Sequence, residues 1–119
     1  MLNKTCIKEI VEEDVKVLIE KEKGYGDSWK RRGGVGAFMM AARKWDRIEE
    51  QSKKSGWDIF DSVNKFGGAE GVLDDIRDLR RYLILIESQC IAPAGVDLHR
   101  WAGDSPVNPG RGFTEPERR

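Results

Sequence analysis

The stretch Val72-Leu73-Asp74-Asp75-Ile76-Arg77-Asp78-Leu79-Arg80-Arg81-Tyr82 decides the fold. Apolar residues at Val72, Leu73, Ile76, Leu79, Leu83, Ile86 and Cys90 recur every three or four positions. That is the period of a helix buried along one face. Pro93 and Gly95 end the pattern, so it predicts a helix over about 69–91. The same stretch is heavily charged. Asp74 and Asp78 stand four apart and Asp75 and Asp78 three apart, so either pair shares a helical face, with Tyr82 one turn further on.

Working outward toward the N-terminus, the basic, glycine-rich run Lys30-Arg31-Arg32-Gly33-Gly34-Val35-Gly36 opens onto a second periodic segment. Val35, Phe38, Met39, Ala42, Trp45 and Ile48 or Glu49 trace the buried stripe expected of a helix over about 35–52. Before it, Cys6, Ile7, Ile10, Val11, Val15 and Leu18 predict a helix over about 3–23, capped by Asn3 or Thr5 and stopped by Gly24 and Gly26. Trp57, Ile59, Phe60, Val63 and Phe66 suggest a short helix near 56–66 or an irregular apolar flap. From Ala94 the chain is rich in Pro and Gly and loses all periodicity. The expected organisation is an all-α bundle of three long helices and one short one over 1–93, followed by an irregular arm over 94–119 anchored by Leu98 and Trp101. No segment alternates with period two.

The chain has 119 residues, 39% hydrophobic and 35% charged, enough for one domain with a thin core. Such a domain commonly gains its missing burial from another subunit, so a homodimer is expected. Twenty-one basic residues balance 21 acidic ones. That balance argues against a broad duplex-nucleic-acid surface, although local basic clusters can still hold a small polyanion. Cys6 and Cys90 fall on apolar faces with no metal-ligand spacing and are expected as buried thiols. The chain shows neither a signal region nor an apolar run of membrane-spanning length, which points to a cytoplasmic protein without a membrane partner.

Three polar groups carry candidate chemistry. Carboxylates come from the first helix (Glu9, Glu12, Glu13 and Asp14, with Glu20 and Glu22 further on) and the last (Asp74, Asp75, Asp78), and their convergence would suit Mg²⁺, which takes oxygen ligands. Phosphate-binding cations are offered by Arg31, Arg32, Arg43, Lys44 and Arg47, with a glycine-rich loop feeding a helix N-terminus. Tyr25, Trp29 and Tyr82 supply rings for a base, and Asp27 a capping or ligand carboxylate. Each group also has a plain reading. The acids are a solvated face or ion-pair with Arg77, Arg80 and Arg81, the glycine loop is only mobile, and the aromatics staple a turn to the core.

With these residues in view, the chain resembles the nucleotide modification-associated helical family of phages and prophages. The resemblance rests on Tyr25-Gly26-Asp27-Ser28, then Lys44-Trp45-Asp46-Arg47-Ile48, then Asp74 to Asp78-Leu79 with Tyr82, in that order over about residues 5–90. That family is similar to the all-α nucleoside triphosphate pyrophosphatases of MazG and dimeric dUTPase type. The resemblance implies a Mg²⁺-dependent nucleotide pyrophosphohydrolase, NTP to NMP plus pyrophosphate, with Glu12, Asp75 and Asp78 as catalytic residues. Glu9-x-x-Glu12 and Asp75-x-x-Asp78 match the family's paired acidic motifs, with Asp75 where the pyrophosphatases carry Glu. Two alternatives stand beside it: a non-catalytic binder that sequesters a nucleotide or cyclic nucleotide signal, and a helical interaction module.

Overall fold

The computed structural model describes residues 1–66 and 71–91. It contains α1 (Lys4–Tyr25), a 3₁₀ turn (Ser28–Lys30), α2 (Gly33–Lys53), α3 (Ile59–Lys65) and α4 (Val72–Ile91). Among the described residues there is no strand, so the chain is all-α as expected. No helix among them is long and apolar enough to cross a membrane. The chain divides into two compact units, Met1–Ile86 and Glu87–Arg119. Of the second, only residues 87–91 are described. The expected boundary after residue 93, the arm over 94–119 and its anchors Leu98 and Trp101 lie outside the described residues.

Local chemistry sets the helix ends. The Asn3 side chain accepts the N–H of Cys6 at 3.0 Å and so caps α1. At the other end Gly26 takes φ +58°, ψ −130°, a conformation closed to side-chain-bearing residues, and its N–H bonds the Glu22 carbonyl at 2.9 Å. The Asp58 carboxylate caps α3 by accepting from Phe60 and Asp61. Between α2 and α3 the chain turns through Gly56 (φ +65°) and Trp57 (φ +70°). The Ser52 carbonyl holds this turn by accepting the N–H groups of Ser55 at 3.0 Å and Trp57 at 2.7 Å. The fully buried Ser62 then stitches α3 to α2 by donating its hydroxyl to the Gln51 carbonyl at 3.1 Å.

The core is narrower than the sequence predicts. Among the described residues the buried apolar side chains are Ala37, Ala41, Ile48 and Val72. α2 packs most closely on the 3₁₀ turn and α3, and it buries Ala37, Ala41, Ile48 and Ser52. The expected stripe therefore needs correction: Val35, Phe38, Met39 and Trp45 are exposed and Ala42 half-buried. At about 100° per residue Trp45 and Phe38 lie about 60° and 80° round the helix from the middle of the Ala37–Ala41 face, and Val35, Met39 and Ala42 more than a quarter turn; the alanine face wins the interior because small residues allow close packing. On α1 the stripe residues Cys6, Ile7, Ile10, Val11 and Val15 are exposed and Leu18 is half-buried. On α4, Leu83 and Cys90 are exposed, while Leu73, Ile76, Leu79 and Ile86 are half-buried. The expectation of two buried thiols is likewise corrected, since both cysteines are free and exposed.

Candidate functional site

Two carboxylates, each on a helix, organise the interior. Asp14 lies in the middle of the apolar side of α1, about 20° from Ile7 and 40° from Leu18 at 100° per residue, and only 1% of it is exposed. A lone buried carboxylate is costly, so it demands partners. Two successive arginines of α4 supply them. Arg80 donates Nε to Oδ2 at 2.5 Å and Nη2 to Oδ1 at 2.7 Å, and Arg81 donates Nε to Oδ1 at 2.8 Å. The Arg80 hydrogen bonds hold the Asp14 carboxyl below its ordinary range; burial opposes the shift and Arg81 adds to it. The same contact pushes the Arg80 guanidinium up.

The second carboxylate is Asp75, in the first turn of α4 and 3% exposed. Arg47 of α2 donates Nε to Oδ2 at 3.1 Å and sits 3.0 Å from Oδ1. Lys44 Nζ lies 3.0 Å from Asp78 Oδ2 and 3.9 Å from Asp75 Oδ1, bridging both acids. The sequence-predicted Lys44, Arg47, Asp75 and Asp78 are therefore brought together, but as a closed ion-pair network that ties α2 to α4. Asp74 and Tyr82 are half-buried on the same helix.

Glu9, Glu12 and Glu13 are exposed on α1. Among the described residues they do not gather with Asp74, Asp75 and Asp78 into a metal-holding group. Among the described residues, no three Asp, Glu, His or Cys side chains gather as a group able to hold a metal ion. Asp75 and Asp78 instead face Arg47 and Lys44. Asp14, Arg80 and Arg81 were missed as a unit by the motif reading. The signal was present: an acid interrupting the apolar side of a helix needs a buried cation opposite.

The remaining expected residues cluster on the connection between α1 and α2. Tyr25 is 72% exposed. Asp27 pairs with Lys30 at 3.8 Å, and Lys30 lies over the half-buried Trp29 ring, 5.9 Å from its centroid. Arg31 and Arg32 are exposed and have no ion-pair partner among the described residues; the same holds for Arg43 on α2. α2 opens at Gly33 (φ +73°) with Arg32 as its N-cap and no side chain bonding its first turn. The first-turn N–H groups have no acceptor within a helix, so this end of a 21-residue helix presents donors and a positive dipole end.

Glycine is required at one of these positions for a spatial reason. A Cβ on Gly36 would stand 2.7 Å from the Arg32 Cβ, whereas one on Gly34 meets nothing within 4 Å. Gly34→Ala is therefore expected to raise stability by about 1 kcal/mol through helix propensity alone. Gly36→Ala is expected to lower it and to displace Arg32. Thermal melts of the two variants side by side check this.

Comparison with protein-family models, curated proteins and solved structures finds no match to this chain.

Proposed function

We propose that this chain binds a nucleotide or nucleotide-derived small molecule at the α1–α2 connection and holds it without hydrolysis. One observation carries the reading. Arg31 and Arg32 stand exposed and unpaired among the described residues, at the uncapped glycine-rich start of a long helix, within a few residues of exposed Tyr25. Guanidinium groups and helix-start N–H groups suit phosphate oxygens, and a tyrosine face suits a base. Two of the carboxylates that the hydrolase reading calls on, Asp75 and Asp78, are paired with Arg47 and Lys44, which is why binding is preferred to the pyrophosphohydrolase reading. A homodimer belongs to the same proposal, because so narrow a core leaves apolar helix faces for a second copy to cover.

The test uses the purified full-length chain with a panel of NTPs, dNTPs and cyclic nucleotides, with Mg²⁺ or with EDTA. The expected result is a rise in melting temperature that persists in EDTA, with no pyrophosphate released. Pyrophosphate release that requires Mg²⁺ and disappears in Asp78→Asn would replace this reading with the hydrolase. No thermal response to any nucleotide would leave the helical interaction module.

A further inference from the structure

The outer side of α1 carries a ridge of four branched aliphatic residues at strict four-residue spacing: Ile7, Val11, Val15 and Ile19. All four are exposed, at 41%, 52%, 52% and 57%. Exposure of this much branched aliphatic surface along three turns of one helix is unusual for a chain that works alone. The ridge drifts round the helix away from Asp14, which faces Arg80 and Arg81 of α4. Its Ile7 end, about 20° from Asp14, therefore borders the α4 contact, and its Ile19 end, about 140° from Asp14, lies well away from it.

The order of residues along the ridge reads the same in both directions: Ile, Val, Val, Ile. Its midpoint falls at residue 13. Lys4 lies three residues before the ridge and Glu22 three residues after it, both exposed. A twofold axis through the level of residue 13 would set Ile7 against Ile19 of a second copy and Val11 against Val15. It would also bring Lys4 toward Glu22 at both ends. An isologous interface must be self-complementary under that operation, and here both the shape sequence and the end charges are. A parallel pairing would instead set Lys4 on Lys4 and Glu22 on Glu22. Ridges of residues four apart are the ones that interdigitate in the commonest class of helix packing.

We infer that α1 is the self-association helix of this protein, packing antiparallel on α1 of a second copy with Ile7 opposite Ile19 and Val11 opposite Val15. The occupant is a second copy because the ridge is complementary to itself. A fold whose apolar core is this small also needs its cover permanently, and its own chain is the partner always present in equal amount.

The register gives a direct test. In a Cys6→Ser/Cys90→Ser background, Ile7→Cys and Ile19→Cys chains are prepared separately, then mixed and oxidised. A disulfide needs Cα atoms within about 7 Å. In the proposed arrangement Ile7 of one copy lies about 18 Å along the helix from Ile7 of the other. The mixture is expected to give a covalent heterodimer on a non-reducing gel, and neither variant alone a covalent homodimer. Sedimentation should show Val11→Lys as a monomer and Val11→Lys/Val15→Glu as a dimer again, because the double change places opposite charges across the axis twice. A covalent homodimer of Ile7→Cys alone would overturn the inference, since it demands a parallel pairing. A parent chain that sediments as a monomer at every concentration would overturn it as well. Nucleotide binding is read separately, so its failure leaves this result standing and the reverse also holds.

Discussion

Asp14→Ala is expected to destabilise the protein by about 3 kcal/mol, within the range seen when one partner of a buried ion pair is removed. The carboxylate is 1% exposed and its three hydrogen bonds all come from Arg80 and Arg81. Its removal leaves two guanidiniums facing the gap, with side chains only 32% and 13% exposed. For a domain of this size the melting temperature should fall on the order of 10–20 °C. The variant Asp14→Leu/Arg80→Met/Arg81→Leu is expected to recover most of the loss, because a packed apolar triad of similar volume can replace a buried ionic one. If the triple variant melts no higher than Asp14→Ala, the network does more than join α1 to α4.

The same network fixes the response to acid. Folding lowers the Asp14 carboxyl from its ordinary value of 3.8, chiefly through the Arg80 hydrogen bonds. The unfolded chain then binds this proton more readily than the folded one. The stabilisation is fully present above the ordinary value and is lost as pH falls through the lower, folded one. Arg80 moves in the opposite sense, upward from its already high ordinary value, so its contribution is constant at every lower pH. Urea midpoints measured between pH 6 and pH 2 should decline below about pH 4, and Asp14→Ala should flatten that decline.

Arg31→Glu/Arg32→Glu is expected to weaken nucleotide binding on the order of 100-fold or more, since each charged hydrogen bond is worth about 1.5–3 kcal/mol. Both side chains are exposed and neither has an ion-pair partner among the described residues, so the melting temperature of the free protein should hardly change. Calorimetric titration with the tightest nucleotide of the panel measures the affinity. Lys54→Glu, an exposed reversal just beyond the far end of α2, controls for net charge and should leave binding within about threefold at moderate salt. Equal losses in the two variants would remove the α1–α2 connection from the proposal.

Much of the backbone was legible because its signals are local. Asn3 caps α1, Gly26 ends it, and Ile59–Lys65 forms a short helix between two longer ones. These features depend on side chains within one turn of the backbone they serve. The faces were harder to read. Hydrophobicity pointed to Phe38 and Trp45 beside Ile48 as the buried side of α2; Ile48 is buried as expected, but Ala37 and Ala41 take the place of the two aromatics, because small residues allow close packing. Lys44, Arg47, Asp75 and Asp78 were recognised as charged residues of interest, but whether the acids met a metal or a cation depended on which helix lay opposite.

By itself, then, the sequence determined that this protein is built of helices, where they start and stop to within about three residues, and that it carries acidic and basic groups on those helices. Periodicity and capping are properties of neighbouring residues and need no knowledge of the rest of the chain. Only the tertiary structure decided the pairings: Asp14 with Arg80 and Arg81, 66 and 67 positions away, and Asp75 with Arg47, 28 positions away. A buried charge takes whichever opposite charge the fold carries to it, and that choice is made across space, between segments whose spacing along the chain holds no record of it.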